Sequence, residues 1–451
     1  MTPPAQGPGA RLAVLLPHAY LGGTIRLLLN LVRHLAVRWP GPLVLAVPAD
    51  HLEVIAGDLD PLRRDIPDLE IRGLRWRQVE PDEARGLATE AGLDVGRWVS
   101  SRYQAPGDGA ADFRDCDFWL FVSDRLEYPL VPLRSYGVFV TDHLQRYVPE
   151  IFDATAYADP DSAPWNFLRN VRNADLVVVT SRDTAADAVG FAGARGPVVR
   201  LPTTLDVDHF ERLAAVAEAG GEADALLPTR PFFAWVTNPS PHKNQLRMLA
   251  AIDRYCRELA GSLDVVVTGV WTDLFDPDLP AERRMGREPQ WNTPHVCQVR
   301  EAVAALEPEV RRRIRFLGAV PDDAYARVLR SARFLAHNVI ADNGTFSVVE
   351  AALLGRPAVS SDYPQMQEID EAFGLGLRFF DPFDELATAE ALVAGESLPP
   401  PPDSVGRRIR DLSWRAWDDS LVEAIGAVIA ADAPRGDPGL RPPGRARIAC
   451  L

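Results

Sequence analysis

Short, almost continuously apolar runs recur along the chain, and segments in which apolar residues return every three or four positions separate them. In the first half the runs lie at Leu12–Leu16, Leu43–Val47, Asp117–Val122, Tyr136–Thr141 and Leu176–Thr180. A helical pattern at Ile25–Leu35 follows the first run. Strands that are apolar on both faces are typical of a parallel sheet covered by helices on both sides. The pattern therefore predicts an α/β fold.

A second series of the same kind begins at residue 232. It predicts a helix at Gln245–Ala260 and strands at Phe232–Thr237, Asp264–Thr268, Ile314–Leu317, Phe334–Ala336 and Ala358–Ser360. The stretch before it, residues 214–231, is rich in Ala, Gly and Glu, which is typical of a linker.

These two series predict two doubly wound domains, residues 1–212 and 232–412, joined by a linker at 213–231. A helix is predicted at 413–432 and a flexible tail at 433–451. Ligands bind outside the carboxyl ends of the strands in such sheets, so the cleft that the two domains face is the predicted ligand site. Residues 274–299 are polar without a clear period, which fits a lid or an elaborated loop equally well.

Composition narrows the class of protein. The 451 residues are 47% hydrophobic and 25% charged, as in an ordinary globular protein, and the net charge of −15 argues against broad nucleic-acid binding. The four scattered cysteines form neither a metal-binding spacing nor a disulfide framework. We expect no signal peptide and no membrane span, hence a cytoplasmic protein with at most a peripheral association with the inner face of the membrane.

The most informative stretch is DNGTFSVVE, from Asp342 to Glu350. It opens a predicted helix that ends at Gly355, with Pro357 just beyond, and both residues are helix stop signals. Helical spacing places Glu350 within the apolar stripe, where a carboxylate is costly unless it is hydrogen-bonded.

The start of this helix is suited to an anion. The backbone N–H groups of Gly344, Thr345 and Phe346 lie at its positive dipole end. A phosphate at the helix start and a ribose on Glu350 would explain both features. The alternative is an acidic residue at a helix start and a core glutamate with a local partner.

The stretch resembles the acidic signature, two Glu residues flanking seven others, of retaining glycosyltransferases of family 4, also called glycosyl transferases group 1. Asp342 stands here in place of the first Glu. The downstream text, Glu350-Ala-Ala-Leu-Leu-Gly-Arg-Pro-Ala-Val, is similar to the family form Glu-Ala-x-x-x-Gly-x-Pro-Val-Val. The resemblance covers residues 12–429. It implies the GT-B fold, with two Rossmann-like domains facing a cleft and a C-terminal helix that crosses back.

Further donor-site residues follow from the resemblance. The family motif Gly-Arg-x-x-x-x-Lys implies a diphosphate contact from Lys243, while Asn238 stands in the Arg position. The turn from Gly318 to Val320 resembles the place where backbone groups meet the nucleobase. Glu350 would hold the ribose, and Asp342 would hold hydroxyls of the donor sugar. Without the neighbouring motif, the favoured interpretation of Lys243 is a solvated lysine on a Pro-rich turn.

The first domain offers acceptor-side candidates. Gly22 and Gly23 follow the first strand, where glycines let a phosphate or sugar approach the backbone, and Arg26 follows on the helix. The family's His-Asp-Leu stretch resembles Asp142-His143-Leu144 with the order of the first two residues exchanged. The resemblance therefore implies catalytic roles for His143, Asp142 and Asp342.

The resemblance implies a hexosyltransferase-type activity in the EC 2.4 class, as in polysaccharide biosynthesis. A sugar would move, with retained configuration, from a nucleotide-diphosphate sugar to a glycan, lipid-linked or small-molecule acceptor. We expect no cofactor and no required metal, and we assign none to the four Asp-x-Asp pairs. Two alternatives stay open, a sugar-nucleotide epimerase on the same fold and a non-catalytic scaffold that binds nucleotide or glycan.

Overall fold

The computed structural model describes residues 9–20, 22–90, 102–109, 112–152, 154–218, 227–343 and 345–432. Gly344 of the predicted site and the predicted tail at 433–451 lie outside the described residues. The chain divides into two compact units. Unit 1 comprises residues 1–146, 152–203 and 414–451, and unit 2 comprises residues 147–151 and 204–413.

Two sheets, one in each unit, form the framework. The strands are β1 Leu12–Leu15, β2 Leu43–Pro48, β3 Glu70–Val79, β4 Tyr103–Gly107, β5 Phe118–Ser123, β6 Ser135–Val140, β7 Leu176–Val179, β8 Val198–Arg200, β9 Phe232–Val236, β10 Asp264–Thr268, β11 Ile314–Gly318, β12 Leu335–His337, β13 Ala358–Ser361 and β14 Arg378–Phe380. The strand order is β4-β3-β2-β1-β5-β6-β7-β8 in unit 1 and β11-β10-β9-β12-β13-β14 in unit 2. All pairs are parallel except β3 with β4.

Helices connect most of the strands. They are α1 Gly23–Arg38, α2 Ala56–Asp65, α3 Pro81–Glu90, α4 Leu144–Tyr147, α5 Ala163–Asn173, α6 Arg182–Gly190, α7 Val207–Glu218, α8 Gln245–Arg257, α9 Ala281–Arg284, α10 Glu288–Trp291, α11 Pro294–Ala305, α12 Pro308–Arg311, α13 Asp322–Ser331, α14 Phe346–Leu353, α15 Pro364–Phe373, α16 Glu385–Gly395, α17 Asp403–Asp411 and α18 Ser420–Asp432. Short 3-10 helices lie at Pro149–Ile151, Ala154–Tyr157, Pro241–Lys243, Thr272–Phe275 and Trp414–Ala416.

The predicted apolar runs form the centre of each sheet. Every residue of β1, β5, β6 and β7 is buried, and so is every residue of β10 and β13. Burial on both faces is what a parallel sheet between two helical layers requires. The prediction of an α/β fold is therefore confirmed.

Residues 274–299 are a folded part of unit 2. Leu274, Phe275 and Leu279 are buried, as is Val296 on α11, and they pack in the core with residues of α8. The guanidinium of Arg300 lies 3.6 Å from the centroid of the Trp291 ring. The stretch whose polar residues hid the period in the sequence therefore contains α9, α10 and the first part of α11.

The C-terminal helix belongs to unit 1. A 3-10 turn at Trp414–Ala416 precedes α18, which packs against β6, β7 and β8. The indole N–H of Trp417 donates to the carbonyl of Pro202 at 2.9 Å, and Arg38 pairs with Asp419 at 2.8 Å. In the described part of the chain, no helix combines the length and apolar character that a membrane span needs.

Candidate functional site

The carboxyl edge of the unit 2 sheet brings two loops together. β9 lies between β10 and β12, so the direction in which the sheet grows reverses at β9 and β12. Such a reversal is where ligands bind in open α/β sheets. The segment 237–244 leaves β9 and the segment 338–343 leaves β12. They are joined where the Ile340 N–H donates to the carbonyl of His242 at 2.8 Å.

An ion pair lies between these two segments. The ammonium of Lys243 donates to one carboxylate oxygen of Asp342, and the Asn343 N–H donates to the other at 2.8 Å. Both charged side chains are only 15% exposed. Burial acts to raise the pKa of Asp342, but the charges of Lys243 and His242 hold it below its usual value. Asp342 is therefore ionised at neutral pH.

A second feature of Lys243 is visible in the amino-acid composition but was not used in the sequence analysis. It is the only lysine among 451 residues, whereas the other 47 of the 48 Lys and Arg residues are arginines. An ammonium is a compact point charge with rotatable donors, and the planar arginine fork cannot replace it at every site. A chain that uses arginine everywhere else keeps lysine at the edge of this sheet.

The neighbouring histidine His337 is electrically neutral. Its Nε2 lies 3.0 Å from the hydroxyl of Tyr363, and both side chains are buried. Burial, followed by the charge of Lys243, lowers the pKa of His337 to about 3. The positive charge beside Asp342 therefore comes from Lys243 rather than from His337.

The helix α14 begins beside the ion pair. Thr345 is its N-cap, and its hydroxyl accepts the Ser347 N–H at 3.4 Å. Phe346, the first helical residue, packs partly buried against the core of unit 2. After α14 ends, Gly355 takes a φ of 72°, as the predicted stop signal requires. The predicted helix and its end are confirmed, whereas the Gly344 amide lies outside the described residues.

Glu350 lies deeper on α14 than a ligand contact would favour. Its exposure is 0%, and its carboxylate accepts a hydrogen bond from the Tyr325 hydroxyl at 2.6 Å. This is the local partner that a core glutamate needs. A ribose could reach Glu350 only after neighbouring side chains move.

Asn238 is exposed and fixes the loop through its backbone. Its carbonyl accepts the Ser240 N–H at 2.8 Å and also the side-chain amide of Gln245. The other end of that amide lies 2.8 Å from Nε2 of His295. The position that holds an arginine in the resembled family therefore contributes loop geometry and no charge.

The turn at Gly318 and Val320 is packed on a residue that the sequence did not single out. Gly318 has a φ of 76°, and a Cβ there would lie 2.9 Å from Cγ of Asp273. Arg287 makes two hydrogen bonds of 2.8 Å to Asp273, and Arg283 adds one of 3.1 Å. Burial raises the pKa of Asp273, but Arg287 and Arg283 more than offset this and hold it below its usual value. The arginine-rich sequence around Arg283 was the feature that could have indicated a buried carboxylate partner.

In unit 1 the reversal of strand order falls at β1 and β5. Gly22, after β1, has a φ of 69°, and a Cβ there would meet nothing within 4 Å, so backbone conformation alone favours glycine. The Gly22 carbonyl accepts the Arg26 N–H at 3.2 Å as α1 begins at Gly23. The Arg26 side chain is half-buried.

The structure separates Asp142 from His143. Asp142 is half-buried, and its carboxylate accepts the Leu144 N–H at 3.1 Å. His143 is 3% exposed and lies against the rings of Phe167 and Phe191, and neither ring nitrogen has a hydrogen-bond partner in the part of the chain that the structure describes. Burial, helped by Arg146, lowers its pKa to about 4. Asp142 is thus the better placed of the two for contact with a ligand.

A polar cluster at the β1–β5 reversal includes Tyr20, Ser123, Asp124 and Arg125, which the sequence analysis did not single out. The Tyr20 hydroxyl donates to Asp124 and lies 3.0 Å from the Ser123 hydroxyl. The Arg125 guanidinium donates to the Asp124 carboxylate through hydrogen bonds of 3.0 and 2.6 Å. Nε2 of His18 lies 3.2 Å from the backbone carbonyl oxygen of Arg125. Ser123 directly succeeds the predicted run that forms β5, so inspection of the residues just after each strand would have found the cluster. Within the described residues, no group of three or more His, Cys, Asp or Glu is arranged to hold a metal ion.

Comparisons with known proteins give a likeness of structure. No family model and no curated protein matches the sequence. HepE from Anabaena, solved with UDP and glucose, is 14% identical, with a TM-score of 0.56 over 93% of this chain and 100% of that one. A sucrose-phosphate synthase from Thermosynechococcus elongatus is 16% identical, with a TM-score of 0.57 over 94% and 100%.

A UDP-forming α,α-trehalose-phosphate synthase from Burkholderia vietnamiensis is similar to the same extent, at 14% identity and a TM-score of 0.56 over 94% of this chain and 100% of that one. Identities this low carry the likeness of fold alone. Each unit contains a predominantly parallel sheet between helices, and the likeness extends over nearly the whole chain. The protein has the GT-B fold.

Proposed function

We propose that the protein is a retaining glycosyltransferase that moves a sugar from a nucleotide-diphosphate sugar to an acceptor. The observation that carries this proposal is the Lys243–Asp342 ion pair at the strand-order reversal of unit 2, beside the start of α14. The cation suits the diphosphate of such a donor, and the carboxylate suits the hydroxyls of its sugar. The helix N-terminus suits the negative charge that develops on the diphosphate as it leaves.

The structural neighbours support the choice of donor. HepE was solved with UDP, with UDP-glucose and with UDP and glucose, and the trehalose-phosphate synthases are UDP-forming. For this chain we propose the class of donor, a nucleoside diphosphate sugar. The acceptor classes are a glycan, a lipid-linked sugar or a small molecule.

Lys243 would act most strongly during bond breaking. In the free protein its ammonium is shared with Asp342, and an arriving diphosphate would draw part of that interaction to itself. The charge on the diphosphate grows as the glycosidic bond breaks, so the attraction is greatest in the oxocarbenium-like transition state. Asp342, ionised beside it, would accept hydrogen bonds from hydroxyls of the donor sugar.

The remaining roles follow from burial. Asp142 is the unit 1 candidate for contact with the reacting groups, because His143 is enclosed by aromatic rings. We assign no carboxylate as a covalent nucleophile. A leaving phosphate oxygen would take the acceptor proton, which is consistent with retained configuration and needs no cofactor.

A non-catalytic scaffold is the second candidate. The full burial of Glu350 on Tyr325 and the uncharged Asn238 favour it, because they weaken the ribose and diphosphate contacts. An epimerase would form product from the donor alone, without an acceptor.

Calorimetric titration with UDP, GDP, ADP and dTDP tests the proposal. We expect one nucleotide to bind the wild type at micromolar affinity and to bind Lys243→Met at least about tenfold more weakly. Arg254→Met is the matched control, because Arg254 lies on the following helix α8 and pairs at 3.0 Å with Glu258 at the surface. Folded protein that binds none of the four nucleotides would exclude the transferase. Binding without turnover across an acceptor panel would favour the scaffold.

A further inference from the structure

A small pocket in unit 2 lies at the other end of α14 from the ion pair. It has a volume of about 270 Å³ and is formed by α7, the end of α13 and the residues that close α14. Phe210, Leu353 and Leu354 supply apolar walls, and Arg330 and Arg356 supply cationic groups. The volume suits a small molecule rather than a nucleotide sugar.

Arg356 lines the pocket, and the charged groups that act on it are cationic. Its side chain is half-buried, and its Nε is buried with no hydrogen-bond partner among the described residues. Burial, then the charges of Arg330 and Arg333, lower its pKa, and no described carboxylate opposes them. A half-buried guanidinium next to like charges is costly unless an anion compensates it.

The acidic residue in the pocket lining does not supply that compensation. Glu211 accepts two hydrogen bonds from Arg410, one of them of 2.8 Å from Nε. Elsewhere the chain pairs its arginines readily, as Arg72 with Asp115 and Arg287 with Asp273 illustrate. In a protein of net charge −15, an arginine that lines a pocket and has no described carboxylate to compensate it points to an external anion.

We propose that this pocket binds a small organic anion, with its phosphate or carboxylate group on Arg356 and its apolar part against Phe210, Leu353 and Leu354. The guanidinium fork matches the paired oxygens of such a group. This site is separate from the proposed donor site, and it would exist whether or not the protein transfers sugars.

Calorimetry with three probes in low-chloride buffer tests the charge and the apolar contribution separately. Phenyl phosphate carries both, inorganic phosphate carries the charge, and phenol carries the ring. We expect phenyl phosphate to bind more tightly than phosphate and phenol to bind least. In Arg356→Gln, phenyl phosphate should bind about tenfold or more weakly.

Two control variants separate the sites. Arg378→Gln removes an exposed arginine of the edge strand β14 and should bind phenyl phosphate like the wild type. Lys243→Met should also keep this binding. Loss of binding in Lys243→Met with retention in Arg356→Gln would assign the anion to the donor site and overturn the proposal, as would phenyl phosphate that does not bind at all.

Thermal melting keeps the test valid if a variant is poorly folded. Without anion, Arg356→Gln should melt at the same temperature as the wild type or higher, because it removes a charge that no described carboxylate compensates. Phenyl phosphate should raise the melting temperature of the wild type and leave that of Arg356→Gln unchanged. A clear loss of stability in anion-free Arg356→Gln would mean that the arginine has a structural partner, and the proposal would fail.

Discussion

Replacing Lys243 by Met removes the single lysine while keeping most of the side chain's apolar length. Asp342 then loses its ion-pair partner and keeps one described hydrogen bond, from the Asn343 N–H at 2.8 Å. The change therefore removes a charge and its hydrogen bonds from a place where both partners are 15% exposed.

The expected loss of affinity follows from that chemistry. A hydrogen bond from an ammonium to a phosphate is worth about 1.5–3 kcal/mol, so the diphosphate should bind about 10- to 150-fold more weakly. Sugar transfer should lose more, about 10²- to 10³-fold in kcat, because the contact strengthens as the diphosphate leaves. Lys243→Arg should restore part of the affinity and less of the rate, because a planar fork replaces a point charge.

The same substitution should reduce stability in a pH-dependent manner. Leaving Asp342 unpaired should cost about 1–3 kcal/mol at neutral pH, discounted for its partial exposure. Because Lys243 holds the pKa of Asp342 low in the folded protein, its contribution is present above the unfolded-state pKa of about 3.9. This contribution of Asp342 to stability is lost as the pH falls through its folded-state pKa. The difference in unfolding free energy between the wild type and Lys243→Met should therefore become smaller in acid.

Calorimetry, urea unfolding at two pH values and one spectroscopic signal measure these effects. Protein labelled with ¹³C-lysine should give one side-chain Cε signal, and a nucleotide that reaches the site should shift it. Unchanged nucleotide affinity in Lys243→Met would refute the reasoning. So would tight nucleotide binding that leaves the lysine signal where it was.

Three further predictions concern single substitutions. Gly318→Ala should destabilise the protein by about 1–3 kcal/mol in urea unfolding, because the new Cβ would contact Asp273. Gly376→Ala should cost less, because φ there is 68° but a Cβ would meet nothing within 4 Å. Equal losses of stability would contradict the contact with Asp273. His143→Phe should be more stable than the wild type by about 2–3 kcal/mol near pH 4 and about equally stable above pH 7. Burial lowers the pKa of His143 to about 4, so the wild type loses stability as the pH falls from about 6.5, the pKa in the unfolded chain. A difference in melting temperature that does not change with pH would disprove this. Tyr325→Phe should cost about 1–3 kcal/mol by removing a donor from the fully buried Glu350, and chemical denaturation that shows no loss would mean that other donors suffice.

The sequence predicted best the strands that are buried on both faces. The run Asp117–Val122 corresponds to β5 at Phe118–Ser123, because a central strand has no solvent face to break its apolar pattern. The strand β3, Glu70–Val79, was missed. It carries Arg72, which pairs with Glu70, Asp108 and Asp115, so its charged residues are satisfied at the sheet margin and conceal the strand.

The sequence predicted which segments follow the strand ends, but it did not predict the direction of their side chains. Lys243 and Asp342 are 99 positions apart and meet because β9 and β12 are neighbours, a strand order that no local pattern contains. For His143 the pattern gave the end of β6 but not the side on which the ring lies. Its ring packs with Phe167 and Phe191, residues of two later helices or their ends.

The return of the chain to unit 1 after Ser413 has a consequence for biosynthesis. The ribosome makes β1–β8, then the continuous segment Thr204–Ser413, and only then Trp417 and α18, which cover β6, β7 and β8. The core of unit 2 can therefore form before α18 packs against the sheet of unit 1. During that interval the apolar strand residues that α18 later covers are accessible to chaperones and to aggregation.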